Sequence, residues 1–263
     1  MTVIAILDGC IQAAVGRGGK RPVVRGLSSV PYEGDLERSL GILFDTCGLP
    51  KGDICLLLPP ELAATRLLTL PSMGRKATAE AVAHEMEEGL VTDYLPLPAR
   101  GPQRRYLAAA VEERVLRDFV EVFSRLGAKL RRVSTSTESL LKVLSTTEEM
   151  RDQSFLWIVT QGCAAEALLV EQGQCTWQGR SRLFAPPGTA ERERELEALA
   201  RDVERFRGPV SKVLYTGPEA QGLEAFPPCG RFGALPEGKR FEEYIYVLGS
   251  LLRMGREGLW ERN

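Results

Sequence analysis

The sequence predicts a two-lobed α/β protein, an internal duplication with a small α+β subdomain inserted in its first half. Three observations carry this. A strand–turn–strand unit opens each half, with its turn at Gly9-Cys10 and at Gly162-Cys163, and the same offset of 153 residues matches Ala14 with Ala167 and Val15 with Leu168. Cys55-Leu56-Leu57-Leu58 is a continuous apolar run closed by Pro59-Pro60, the pattern of a strand buried on both faces. Residues 67–133 change texture and read as two short β-α units.

In the first half, residues 3–7 form an apolar strand that ends at Asp8-Gly9-Cys10, and Ile11 to Val15 return. Gly16 to Arg21 make a basic, Gly-rich turn, and Val23-Val24 open a third strand, completing a β-meander. Leu36, Leu40, Leu43 and Phe44 have the spacing of a helix face over 35–47. The inserted part starts with a strand at Leu67–Leu70, stopped by Pro71. A helix is expected over 77–90, with Ala79, Val82, Ala83, Met86 and Leu90 inward and Glu80, Glu85, Glu87 and Glu88 outward. A Pro-rich connection runs from Leu95 to Pro102. Tyr106–Val111 is a strand, 112–126 a helix that Gly127 ends, and Lys129–Val133 a strand. Ser134-Thr135-Ser136-Thr137 supply N-cap oxygens for a helix over 137–149.

The second half repeats the opening. Phe155–Val159 is a strand, Gln161-Gly162-Cys163 the turn, Ala167–Val170 the return strand, and Cys175–Arg182 the third. A charged helix over 190–206 has Leu196, Leu199, Val203 and Phe206 as its inner stripe, its mixed charges being a solvated face. Val213-Leu214-Tyr215 is a short strand leading to Thr216-Gly217, and a last helix runs from Glu242 to about Met254. The expected division is a first lobe at 1–66 with 134–153, a subdomain at 67–133 and a second lobe at 154–263.

The totals remove several function classes. Apolar residues make up 44% of the 263 and charged residues 26%, which is globular composition. A formal net charge of -1 argues against a nucleic-acid binder. The six cysteines form no C-x-x-C pair and His84 is the single histidine, so no metal site is expected. The cysteines are expected to be small buried side chains in a reducing compartment. The N-terminus lacks a basic start, and no run reaches the ~20 apolar residues that span a bilayer. A cytoplasmic location is the expectation.

The duplicated meander, the strand ending in Thr216-Gly217 and the final Tyr246-Val247-Leu248-Gly249-Ser250-Leu251-Leu252-Arg253 together resemble the actin-like (ribonuclease H-like) ATPase fold. More specifically, Leu57-Leu58-Pro59-Pro60, then Arg66-Leu67-Leu68-Thr69-Leu70-Pro71, then a helix containing His84-Glu85-Met86-Glu87-Glu88, is similar to the PilM family of type IV pilus assembly and to the cytoplasmic domain of its type II secretion counterpart, GspL. The chain is shorter than typical PilM, which implies a reduced second lobe. The resemblance implies that the hairpin turns of the two lobes cradle a nucleotide's phosphates and that Thr-Gly lies under the adenosine. Asp8, Gly9, Gly162 and Gly217 are then what is left of that cleft. It further implies a groove between the first lobe and the subdomain. Its partner would be the short cytoplasmic segment of an inner-membrane assembly protein, or an assembly ATPase. Arg66, Leu70, Pro71, Met73, Glu85 and Glu88 are the candidates there, and a homodimer is among the expected assemblies.

An ATPase needs a carboxylate for Mg²⁺ or water and N–H groups aimed at phosphate. Asp8 supplies one acid, whereas Thr160-Gln161 stand where a second is expected. Arg17-Gly18-Gly19-Lys20-Arg21 lies in a hairpin and lacks the phosphate-loop pattern. Arg100 to Arg105 lack interleaved aromatics, and His84 has no triad partner in view. The sequence favours a scaffold without a required ATP or Mg²⁺. The alternative is an actin-like ATPase or small-molecule kinase with divergent motifs.

Overall fold

The computed structural model describes residues 1–98, 102–217 and 223–253. Three strands at Thr2–Leu7 (β1), Cys10–Arg17 (β2) and Val23–Pro31 (β3) form an antiparallel meander. Helix α1 (Leu36–Cys47) leads back to β4 (Ile54–Leu58), which pairs parallel with β1. Asp35 caps α1, its carboxylate accepting from the Arg38 N–H at 3.0 Å. The chain then leaves the sheet at Pro59. Strands β5 (Ala64–Leu70), β6 (Val91–Leu97) and β7 (Arg104–Val111) make a separate antiparallel sheet in the order β5-β7-β6, crossed by helix α2 (Arg75–Glu85).

Helix α3 (Glu113–Arg125) and β8 (Leu130–Thr135) return to the first sheet. Strand β8 pairs parallel with β4, giving the order β3-β2-β1-β4-β8. The sequence boundary of 67–133 groups α3 and β8 with the inserted sheet, but the pairing groups them with the first. The cause is packing: Phe123 meets Phe44 of α1 edge to face at 6.4 Å, inside the core under the first sheet. Helix α4 (Ser136–Thr146) follows, its Thr135 hydroxyl accepting from the Glu138 N–H.

The second half has the same plan. Strands β9 (Phe155–Gln161), β10 (Ala164–Glu171) and β11 (Gln174–Arg182) form a meander, helix α5 (Ala190–Arg207) follows, and β12 (Val213–Thr216) pairs parallel with β9. Helix α6 (Ile245–Leu251) packs along α4 between the two sheets. The Ser139 and Ser250 hydroxyls meet at 2.6 Å there, and a Cβ on Gly249 would lie 2.5 Å from the Ser139 carbonyl. Val3, Ala5 and Leu7 from one half and Phe155, Trp157 and Val159 from the other share the central core with these helices. Among the described residues, no helix is long and apolar enough to cross a membrane.

Several local expectations change. Residues 91–97 pair as a strand although Pro96 lies among them, because β6 is an edge strand where a missing donor is tolerated. Helix α2 stops at Glu85, and its buried residues are Thr78 and Val82, while Ala79 and Ala83 face out. Phe206 is 77% exposed, not part of the inner stripe of α5. Cys47 and Cys163 are exposed, whereas Cys55, Cys175 and Cys229 are buried as expected. The last helix is shorter than expected, and Met254 lies outside the described residues.

Candidate functional site: the cleft between the lobes

The hairpin register corrects the duplication by one residue. Leu7 pairs with Cys10 in the first turn and Gln161 with Ala164 in the second, so the strand ends are 154 apart rather than 153. The glycines match at 153 only because they occupy different corners of the two turns. A one-residue slip moves every side chain of a strand to the other face. At the corrected offset Ala14 and Leu168 both face the central core, whereas Ala167, the glycine-based match, faces the outer core of the second lobe. The residue equivalent to Asp8 is therefore Gly162, which has no side chain, and not Thr160 or Gln161.

That empty position is filled from the other lobe. The Asp8 carboxylate accepts a hydrogen bond from the Cys163 backbone N–H at 2.9 Å. A Cβ on Gly162 would lie 3.0 Å from the Asp8 carbonyl and 3.1 Å from Oδ2, so the two turns are in direct contact. Gly162 holds φ +57°, a left-handed conformation that glycine adopts without a steric penalty. The second turn is also held from behind by the fully buried Arg192, whose guanidinium donates to the Gly162 carbonyl. The exposed Cys163 thiol is pushed up mainly by its hydrogen bond to Asp8. Cys10 is pushed up chiefly by burial.

Beside this contact a cleft of about 760 Å3 separates the lobes. Leu7, Tyr32, Pro59, Pro60 and Leu62 line it from the first lobe and Ala164, Glu166, Arg180 and Arg182 from the second. Arg180 spans it: its guanidinium donates to the Pro60 carbonyl at 2.8 Å and to the Ser136 and Thr137 hydroxyls at 3.1 and 3.2 Å. Glu166, buried in the wall, lies 3.5 Å from Arg180 and accepts from Thr137 at 3.2 Å. Sequence reasoning missed this pair. One signal was present: Glu166 is an acid inside the apolar run from Ala164 to Val170.

Behind the cleft wall, Glu138 at the start of α4 is fully buried with Arg132, Ser134 and Lys142. Burial would raise its carboxyl, but Lys142 at 2.5 Å and Arg132, with hydrogen bonds from Lys142 and Ser134, outweigh it and hold the group at about 2. Burial in turn pushes the Lys142 ammonium down.

Gly217 lies where β12 meets β9. A Cβ there would clash with the Thr160 side chain and come within 2.8 Å of its carbonyl, so packing alone requires glycine. Thr160 is buried and donates to the Thr216 carbonyl at 3.5 Å. Pro218, which follows, is outside the described residues, as are Arg100 and Gly101 of the basic stretch. The single acid at the turns already accepts the N–H of the opposite turn, and its counterpart is a glycine. Among the described residues no cluster of three His, Cys, Asp or Glu could hold a metal.

On the inserted sheet, Arg66 and Glu85 are brought together. The Arg66 guanidinium donates to the Glu85 carbonyl at 2.7 Å and lies 3.7 Å from its carboxylate. Leu70 packs, half-buried, against the small core of Leu68, Val82 and Ala108. Met73 is half-buried, and Pro71 and Glu88 are exposed. Polar side chains tie this sheet to the second lobe through β11: Arg105 donates to Gln174 at 3.0 Å, and Gln178 donates to Thr65 at 2.7 Å.

No family model matches the sequence, and no curated protein is similar to it by sequence. Solved structures are similar. A PilM–PilN type IV pilus biogenesis complex matches with a TM-score of 0.74 at 17% identity, over 95% of this chain and 97% of that one. The cytoplasmic domain of EpsL, an inner-membrane component of the Vibrio cholerae type II secretion system, matches with a TM-score of 0.57 at 14% identity, over 98% and 96%. A Bacteroides thetaiotaomicron protein with an actin-like ATPase fold matches with a TM-score of 0.50 at 11% identity, over 82% and 81%. The chain has the actin-like fold, duplicated about its two hairpin turns, in an arrangement similar to that of PilM and cytoplasmic EpsL.

Proposed function

We propose that the chain is a cytoplasmic scaffold of a type IV pilus or type II secretion assembly platform, held at the inner membrane through its partners and without ATP turnover of its own. One observation carries the second half of this reading. The Asp8 carboxylate, the single acid at the two turns, is bonded to the Cys163 N–H, and the equivalent residue is Gly162. A phosphate would have to displace Asp8 to reach that N–H, and the acid in the opposite wall, Glu166, is engaged by Arg180 and Thr137. The likeness of the whole chain to PilM in complex with PilN, and to cytoplasmic EpsL, supports the first half.

The partner in this reading is a cytoplasmic segment of a membrane assembly protein, an assembly ATPase, or both. The surface around Arg66, Leu70, Pro71, Met73, Glu85 and Glu88 would receive it. A half-buried edge strand beside exposed acids suits an extended peptide that adds backbone hydrogen bonds. Affinity capture from the native host with the intact chain should recover a membrane-assembly component, and Glu88→Lys should weaken that capture. Recovery of none overturns the scaffold reading. Calorimetry with Mg-ATP should show no saturable heat. Micromolar binding that is lost in Asp8→Ala would establish the ATPase or kinase alternative instead.

A further inference from the structure

Phe184 is 80% exposed, the most exposed large apolar side chain among the described residues. Its backbone is not loose. The Phe184 and Ala185 N–H groups both donate to the Glu195 carboxylate at 3.1 Å, the Thr189 hydroxyl donates to the Pro186 carbonyl at 2.8 Å, and Pro187 follows. An aromatic fixed outward on a rigid loop loses little entropy when it is covered, which is the property of a binding anchor. It stands at the rim of the interlobe cleft. Leu183 donates to the Cys163 carbonyl at 2.8 Å, and both Cys163 and Arg182 line the cleft.

The cleft offers what Phe184 lacks. Its first-lobe wall presents Pro59, Pro60 and Leu62, and Leu62 is 39% exposed. The two walls also carry opposite exposed charges, Glu61 on the first lobe and Arg182 on the second. A knob beside its own socket, with opposite charges on the two sides, is a self-complementary patch. Such a patch is satisfied by a twofold axis, which makes each contact twice and closes the assembly at two copies.

We infer that a second copy of this chain occupies the cleft, each Phe184 entering between Pro59–Leu62 of the other copy, with Arg182 facing the other copy's Glu61. This is independent of the pilus or secretion reading, since it uses neither the inserted sheet nor an outside partner. Sedimentation of the intact chain over a concentration series should show a monomer–dimer equilibrium. Phe184→Ser should weaken it at least about tenfold, with the melting temperature unchanged at dilutions where the chain is monomeric, because the side chain is exposed there. Glu61→Arg should weaken it too, and Glu61→Arg combined with Arg182→Glu should restore it. A chain that stays monomeric throughout, or a dimer that Phe184→Ser and the charge exchange leave untouched, overturns the inference.

Discussion

The two turns that open the halves have the same length, with the left-handed corner second in one and first in the other, and opposite surroundings. Gly9 takes φ +74° and a Cβ there would meet nothing within 4 Å. Gly162 takes φ +57°, touches Asp8 of the other lobe and has its carbonyl held by buried Arg192. The first turn gives a side chain away; the second receives it. Duplication thus reproduced the two-residue turn and its place between paired strands, while the contact between the copies gave each turn its own role. The same divergence holds behind the turns. The helix that follows the first sheet carries a buried ion cluster at Glu138, whereas its counterpart α6 carries no charge, its polar side chains being Tyr246 and Ser250.

The strongest way to test that asymmetry is to break the ion cluster. Glu138→Gln removes the acid and leaves Arg132 and Lys142 facing each other in a buried site. A loss of about 3–5 kcal/mol in chemical denaturation is expected. If the variant is as stable as the parent, the cluster is not the anchor of the first lobe. The pH dependence follows with its sign. A carboxyl held at about 2 when folded stabilises the protein above the unfolded value and loses that contribution as pH falls from about 5 towards 2. Lys142, pushed down by burial, also gives stability that rises with pH, in the window that ends at the free lysine value. Denaturation midpoints across the acid range should fall in the parent and change less in Glu138→Gln.

The turns themselves give smaller effects. Alanine at either glycine must hold a left-handed φ, at roughly 1–2 kcal/mol. Gly162→Ala must also push Asp8 away, so it should destabilise more than Gly9→Ala, by about 1 kcal/mol. Equal losses would mean that the lobes do not touch there in solution. Smallest is Asp8→Asn, which keeps the shape and removes the charge from an exposed hydrogen bond, a cost of about 1 kcal/mol. Faster amide exchange at Cys163 would report it directly, since a neutral amide oxygen is a weaker acceptor than a carboxylate. Unchanged exchange in Asp8→Ala, which has no acceptor there, would show that the contact is not made.

Much of the fold was legible because it rests on local chemistry. Alternating and continuous apolar runs marked the strands, Gly127 and Thr135 ended and began helices where expected, and the paired meanders announced the duplication. Glycine matching then misplaced the repeat by one residue, because a turn tolerates glycine at either corner and the side-chain faces of the strands become visible only once they pair. The inserted sheet was recognised but drawn too long. Nothing local in 112–135 says which of two sheets β8 will join, and that choice is made by Phe123 against Phe44.

The candidate site divides in the same way. The sequence by itself determined that one turn has an acid and that the other lacks one, since that is a matter of which residues are present. Only the tertiary structure decided that Asp8 faces Gly162, that its carboxylate is taken by the Cys163 N–H, and that Arg180 and Glu166 meet in the cleft wall. The Asp8 contact spans more than a hundred residues of chain; Arg180 and Glu166 are paired residues of the neighbouring strands β11 and β10, and it is their hydrogen bonds to Pro60, Ser136 and Thr137 that cross between the lobes. They follow from how the two copies pack, and packing is a property of the assembled core that no single segment encodes.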